Sequence, residues 1–365
     1  MLSFPPEPGQ EVVILGAGFS KSLSDAMPLT DDLGNLVRTA VAAVSPVTLP
    51  GRFKRGQFEA WLSRIAEDQP DLTTPENLSN RTLFALCSQS LASAIDECVA
   101  SAKETALSRP WLFDFIGTLH ARQATVITFN QDTLIESAVE AAQLHSWDMK
   151  RWPATEPQPM ISWWDCLDGQ PAFPPTRYGF DVPKQTFRLL KLHGSTNWFW
   201  QSGDTTGTTT ACWSLPGTLT SGQAVPDETA ALRRELPGRV PLIVPPTAGK
   251  TTYYRTPMLT QLWQDARRAL SRNNVHVSLL GYSIPPTDLV TSGMLRETLI
   301  DKTNTAPALI DVVDPNPGPV CANLRALGAW VSNHGLSVCR AGDGRGCWEN
   351  CVHGIGDGPG AAVCD

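Results

Sequence analysis

Short apolar runs rich in Val, Ile and Leu recur along this chain, and each halts at a glycine or a polar residue. Residues 11–15 stop at Gly16, 124–129 at Asn130, 187–192 at His193, 275–280 at Gly281 and 308–313 at Asp314. Runs this short and this apolar suit strands buried on both faces. The stretches between them carry helical signals. Thr30-Asp31-Asp32 reads as a helix start, and Phe58, Trp61, Leu62 and Ile65 share one helical face. Further helices are predicted over 81–106, 110–119, from Asp132 to about 142, and over 259–270, 289–300 and 320–327. Strands alternating with helices predict an α/β fold, a Rossmann-like parallel sheet covered by helices. The Trp, Thr and Ser alternation of 197–213 suits short antiparallel strands, and 240–244 reads as another short strand.

Sheets of this class bind ligands beyond the carboxyl ends of their strands. The residues at which the apolar runs halt are therefore predicted to meet at one rim. They are Gly16 to Ser20, Asn130 to Asp132, His193, Gly281 to Ser283, and Asp314 to Asn316. Each has a plain alternative. Gly16-Ala17-Gly18-Phe19-Ser20 either makes a tight turn or presents backbone N–H groups and Ser20 to a pyrophosphate. It lacks the third glycine of the dinucleotide fingerprint, because position 21 is Lys. Asn130 and Asp132 suit a helix cap or the hydroxyls of a ribose. His193, followed by the spacious Gly194, is either a hydrogen-bonded core histidine or a general base near neutral pH. Asp314-Pro315-Asn316-Pro317 is a turn or a closure over an adenosine.

Two other motifs are set aside. Pro245 to Thr251 resembles the end of a P-loop, but the first glycine of that motif falls at Val244. Cys347, Cys351 and His353 lack the paired spacing of a structural zinc site, and no C-x-x-C occurs in the chain, so no metal is expected.

Composition narrows the classes further. A net charge of −7 in 365 residues lacks the basic footprint of a nucleic-acid binder, so no direct nucleic-acid binding is expected. The N-terminal residues have no charged leader followed by an apolar segment, and no run of about 18 apolar residues predicts a spanning helix. Nine irregularly spaced cysteines argue against a disulfide framework. A cytoplasmic protein with no membrane association is the expectation.

In order and placement, these motifs resemble the sirtuin superfamily, and more closely its bacterial sirtuin-like branch of NAD-consuming proteins. The resemblance is carried by Gly16-Ala17-Gly18-Phe19-Ser20, Thr128-Phe129-Asn130-Gln131-Asp132, Lys191-Leu192-His193-Gly194-Ser195, and Leu280-Gly281-Tyr282-Ser283 with Asp288. Pro245-Pro246-Thr247 and Val313-Asp314-Pro315-Asn316 also fit. It implies one sirtuin-like NAD-binding domain over 1–340, with a helical insertion at 31–107, an irregular insertion at 145–186, and a Gly/Cys-rich, disordered tail at 341–365. It implies catalytic roles for Asn130, Asp132 and His193, and contacts to NAD from Gly16, Ala17, Gly18, Phe19, Ser20, Gly281, Ser283, Asp288, Asp314 and Asn316.

Deacylating sirtuins carry two C-x-x-C pairs in a zinc module after the His-Gly block, where this chain has only Cys212. The resemblance thus points to an NAD glycohydrolase without a zinc ribbon, releasing nicotinamide and ADP-ribose as a regulated antiphage effector. It further implies a homo-oligomer and an activating partner, such as a HerA-type ATPase or a nucleotide-sensing protein. A protein deacylase or ADP-ribosyltransferase on the same fold, and a non-catalytic sensor of NAD or ADP-ribose, are the alternatives.

Overall fold

The computed structural model describes residues 10–47, 49–54, 56–142, 187–206, 211–212, 238–285, 288–300, 309–327 and 336–340. The expected insertion at 145–186, the tail at 341–365 and the Cys347/Cys351/His353 group lie outside the described residues.

Six strands form one parallel sheet: β1 (Glu11–Leu15), β2 (Thr125–Thr128), β3 (Arg188–Lys191), β7 (His276–Leu280), β8 (Leu309–Asp314) and β9 (Leu336–Arg340). Their spatial order is β3-β2-β1-β7-β8-β9, and every pairing is parallel. Counting only these six along the chain, the order is 3-2-1-4-5-6, that of the doubly wound α/β sheets. The order reverses between β1 and β7, the place at whose carboxyl ends sheets of this class bind their ligands.

The pleat sends alternate residues of each strand to opposite faces. Val12 and Ile14 join one apolar cluster, Val13 and Leu15 the other. The first face is covered by α8 (Pro257–Leu270), through Leu259, Leu262, Ala266 and Leu270, and by α9 (Leu289–Leu295) and α10 (Pro317–Ala326). The second is covered by α1 (Ala17–Leu23), α5 (Pro110–Arg122) and α6 (Leu134–Ala141), through Phe19, Leu112, Phe115, Leu134 and Ala138. Residues 296–300, expected to continue α9, run on as a π-helical turn.

Between α1 and α5 stand α2 (Thr30–Val44), α3 (Gln57–Ala66) and α4 (Thr74–Leu107). They enclose an apolar cluster of their own around Val37, Phe58, Leu62, Leu83 and Leu91. The distal half of α4 continues into the main core with Ile95, Val99 and Ala102. A capping box of Thr73 and Glu76 starts α4, and Pro75 in the first turn suits a position where no N–H is needed. Contrary to the sequence expectation, α4 is long and apolar enough to cross a bilayer by length and composition alone. Its buried residues, Leu83, Cys87, Leu91, Ile95 and Val99 among them, pack in the two protein clusters.

A second, antiparallel sheet is built from β5 (Ala211–Cys212), β4 (Gly194–Gln201) and β6 (Arg239–Ile243). β4 begins at Gly194, earlier than the predicted 197. The chain reverses sharply out of β3 there, with Gly194 at φ +76° and Leu242 of β6 packed directly against its α-carbon. Any side chain at 194 would be strained in its backbone and would strike Leu242. The fold thus sets His193 at an elbow between two sheets.

Candidate functional site

Asn130 and His193 each stand two residues past the end of their strand, and those strands are neighbours in register, Thr128 beside Lys191. The Leu192 N–H still bonds the Thr128 carbonyl, at 3.0 Å. The structure therefore brings the two predicted catalytic segments to the same edge of the sheet, close to the reversal of strand order beside β1.

The first group of side chains is a closed hydrogen-bonded set. The Asn130 amide donates to the Gly16 carbonyl at 2.8 Å and to Ser20 Oγ at 2.9 Å. Ser20 Oγ donates to Asp132 Oδ2 at 2.7 Å, and Asp132 Oδ1 accepts the N–H of Leu134, the first residue of α6, at 3.1 Å. Asp132 thus has the capping role that its sequence position suggests, and also fixes Ser20. Below it lies Lys191, buried, whose ammonium reaches the Asp132 carbonyl, Glu136 and Ser195 at 2.6, 2.7 and 2.6 Å. A buried ammonium needs such partners to offset its lost hydration. Lys191 joins the end of β2, helix α6 and the start of β4, and so holds the elbow that carries His193.

The second group surrounds His193. Its backbone carbonyl accepts the Val244 N–H at 2.9 Å, which pins the elbow to β6. Its ring lies 5.1 Å from that of Phe129 and 6.4 Å from that of Trp263. Phe129 also stacks on Tyr282 at 4.5 Å. Nε2 of His193 is 3.4 Å from the Tyr254 hydroxyl and 3.9 Å from Asp288 Oδ2. Asp288 is held by the Thr291 hydroxyl at 2.8 Å and paired with Lys250 at 3.2 Å. Burial and the Lys250 ammonium push the imidazole down to about 3, with Asp288 opposing them. Burial raises the Asp288 carboxyl, while the Lys250 ammonium and the Thr291 hydroxyl pull it the other way and hold it below its ordinary value. Burial and the nearby Asp288 charge raise the phenols of Tyr254 and Tyr282. The result is a neutral imidazole against a fixed ion pair, walled by aromatic rings. The imidazole is free to accept a proton, but held this low it is a weak base in the protein without substrate, below the near-neutral range that suits general-base work.

The glycine turn departs from its expected use. The Gly16, Gly18 and Phe19 N–H groups donate to the carbonyls of Leu280, Gly281 and Gly16 at 3.1, 3.0 and 2.9 Å. Those donors are engaged within the protein, in keeping with the tight-turn alternative and not with N–H groups facing a pyrophosphate. A Cβ on Gly16 would sit 2.5 Å from the Gly281 oxygen, and one on Gly18 2.8 Å from the Gly281 α-carbon. The glycines let the β1–α1 turn close against the end of β7. Ala17 is part-exposed in the same turn, and Phe19 is a core residue packed on Trp111 and Phe115.

On the other side of that reversal, Ser283 and Asn316 are exposed. Asn316 stands at the N-cap position of α10 without a side-chain capping bond, and its N–H bonds Asp314 Oδ1 at 2.8 Å. The Asn323 amide fixes the loop after β7 through the Ser283 and Ile284 carbonyls, at 2.9 and 3.1 Å. Ile284, buried, is held at φ +51°, a conformation that a β-branched residue adopts only under strain.

Sequence reasoning missed Lys250, Tyr254, Trp263 and Lys191. Lys191 stood in the quoted Lys191-Leu192-His193-Gly194-Ser195 block and Lys250 in the Gly249-Lys250-Thr251 that fails as a P-loop, but neither was given a role. No family model matches this sequence, and no curated protein matches it significantly.

Proposed function

We propose that this chain is a sirtuin-like NAD glycohydrolase, cleaving NAD to nicotinamide and ADP-ribose. The observation that carries the reading is the convergence, at one edge of a doubly wound sheet, of a fixed amide and carboxylate with a neutral histidine. Breaking the nicotinamide–ribose bond develops positive charge on the sugar, as in glycoside hydrolysis. Nicotinamide leaves as a neutral molecule and needs no acid. The work left for the protein is to hold the ribose, stabilise the cation and deliver water. Asn130 suits positioning of the water, Asp132 the sugar hydroxyls and charge, and His193 removal of the proton. With the Gly16, Gly18 and Phe19 donors engaged, the exposed Ser283 and Asn316 are the better candidates for the phosphate and adenosine end.

From the same resemblance come a role in antiphage defence, a cytoplasmic location, a homo-oligomer and an activating partner. Purified protein incubated with NAD, with and without a candidate partner, is expected to release nicotinamide. His193→Ala and Asn130→Ala are each expected to lower that rate at least about 100-fold while leaving the protein folded. A double variant of full activity would end the assignment.

A further inference from the structure

Lys250 lies between β6 and the short helix α7 (Thr251–Tyr254), 4% exposed, with its ammonium 3.2 Å from Asp288. The groups facing His193 come from three elements. They are Lys250 from the loop, Tyr254 from α7, and Asp288 from the segment before α9. Tyr282, at the end of β7, feels Asp288 and Tyr254, and also Glu59 of α3. Among the described residues, one close carboxylate, Asp288, thus serves two basic side chains, Lys250 and His193 itself. In a buried site one carboxylate compensates one cation, and the second basic group stays uncharged.

We infer that Lys250 is a positioning residue for His193: by claiming Asp288, its ammonium leaves the imidazole uncharged and able to accept a proton. Take the ammonium away and Asp288 has His193 as its nearest basic partner, 3.9 Å away. The imidazole then faces the carboxylate without a competing cation and binds its proton at higher pH. That His193 serves as a base rests on the NAD reading. The division of charge between Lys250 and His193 does not, because it belongs to the protein without substrate.

The test is an NMR titration of the histidine rings in the full chain, with the His193 signal assigned by its loss in His193→Gln. Wild-type His193 is expected to stay unprotonated well below pH 6. Lys250→Met is expected to raise its midpoint by at least about one pH unit, and Lys250→Arg to keep it low. Lys250→Gln retains a donor for Asp288 and carries the same readout where the methionine variant does not fold. A Lys250→Met or Lys250→Gln protein whose His193 titrates where the wild type does overturns the inference, since burial alone then sets the imidazole. Nicotinamide release followed against pH separates the two claims. A shifted titration in a protein inactive on NAD upholds the Lys250 assignment and counts against the enzyme reading. An unshifted titration with His193-dependent cleavage does the reverse.

Discussion

The two polar groups at the sheet edge are built on different principles. Around Ser20, every contact is a short hydrogen bond of 2.7 to 2.9 Å between Asn130, Ser20, Asp132 and a backbone carbonyl. Around His193 the separations are longer, 3.2 to 3.9 Å, and the groups are charged or titratable. Hydrogen bonds of the first kind fix geometry, and losing one costs the order of 1 kcal/mol. Buried charges of the second kind are poised: each is tolerable only through its neighbours, so a change at one moves protons at another. The comparison teaches a division of labour in which the β2 segment places atoms and the His193 pocket holds a proton acceptor.

Substitutions sharpen that contrast. Asp288→Asn leaves Lys250 as a buried ammonium without its carboxylate, and is expected to cost roughly 3–5 kcal/mol in urea unfolding. A loss under about 1 kcal/mol would mean that the ion pair is not the strained half of the site. The next effect is one of pH. The His193 imidazole titrates near 6.5 when unfolded and about 3 when folded, so between those values the unfolded chain binds more protons. Stability should fall as the pH drops through this window, and His193→Gln should flatten the slope there while leaving stability near pH 7–8 little changed. The Asp288 carboxyl, held below its ordinary value, adds acid sensitivity of the same sign at lower pH. An unchanged slope in His193→Gln would place the acid sensitivity elsewhere. The smallest effect belongs to the hydrogen-bonded group around Ser20. Ser20→Ala removes one hydroxyl between Asn130 and Asp132, should cost about 1–2 kcal/mol, and should leave the pH dependence of stability as it was. A change in that pH dependence would erase the distinction between the two groups.

Five of the six parallel strands were legible because burial on both faces leaves runs rich in Val, Ile and Leu, as in 12–15, whereas β9 at 336–340 was missed. The placement of Asn130 and His193 was legible as well, since both follow such runs directly. What was not legible depends on distant partners. The glycines at 16 and 18 looked like a phosphate cradle because the sequence does not reveal that Gly281 occupies the space beside them. Lys250 is 38 residues from Asp288 along the chain, and Tyr254 is 61 from His193, with no periodicity to connect either pair. The reversal at Gly194 was hidden for the same reason. Its left-handed backbone is set by β6, which arrives more than 40 residues later. Local pattern encodes elements, whereas charge pairing and close backbone approach are written only in three dimensions.

The claim on which the account stands is that the edge carrying Asn130, Asp132 and His193 holds the nicotinamide ribose of NAD. The most direct test is a crystal structure of the His193→Ala protein grown with NAD. The account predicts the dinucleotide beyond the carboxyl ends of β1, β2 and β7, with the nicotinamide ribose within hydrogen-bonding reach of Asn130 and Asp132. NAD bound away from that edge, or no binding at millimolar NAD by a folded protein, would contradict it.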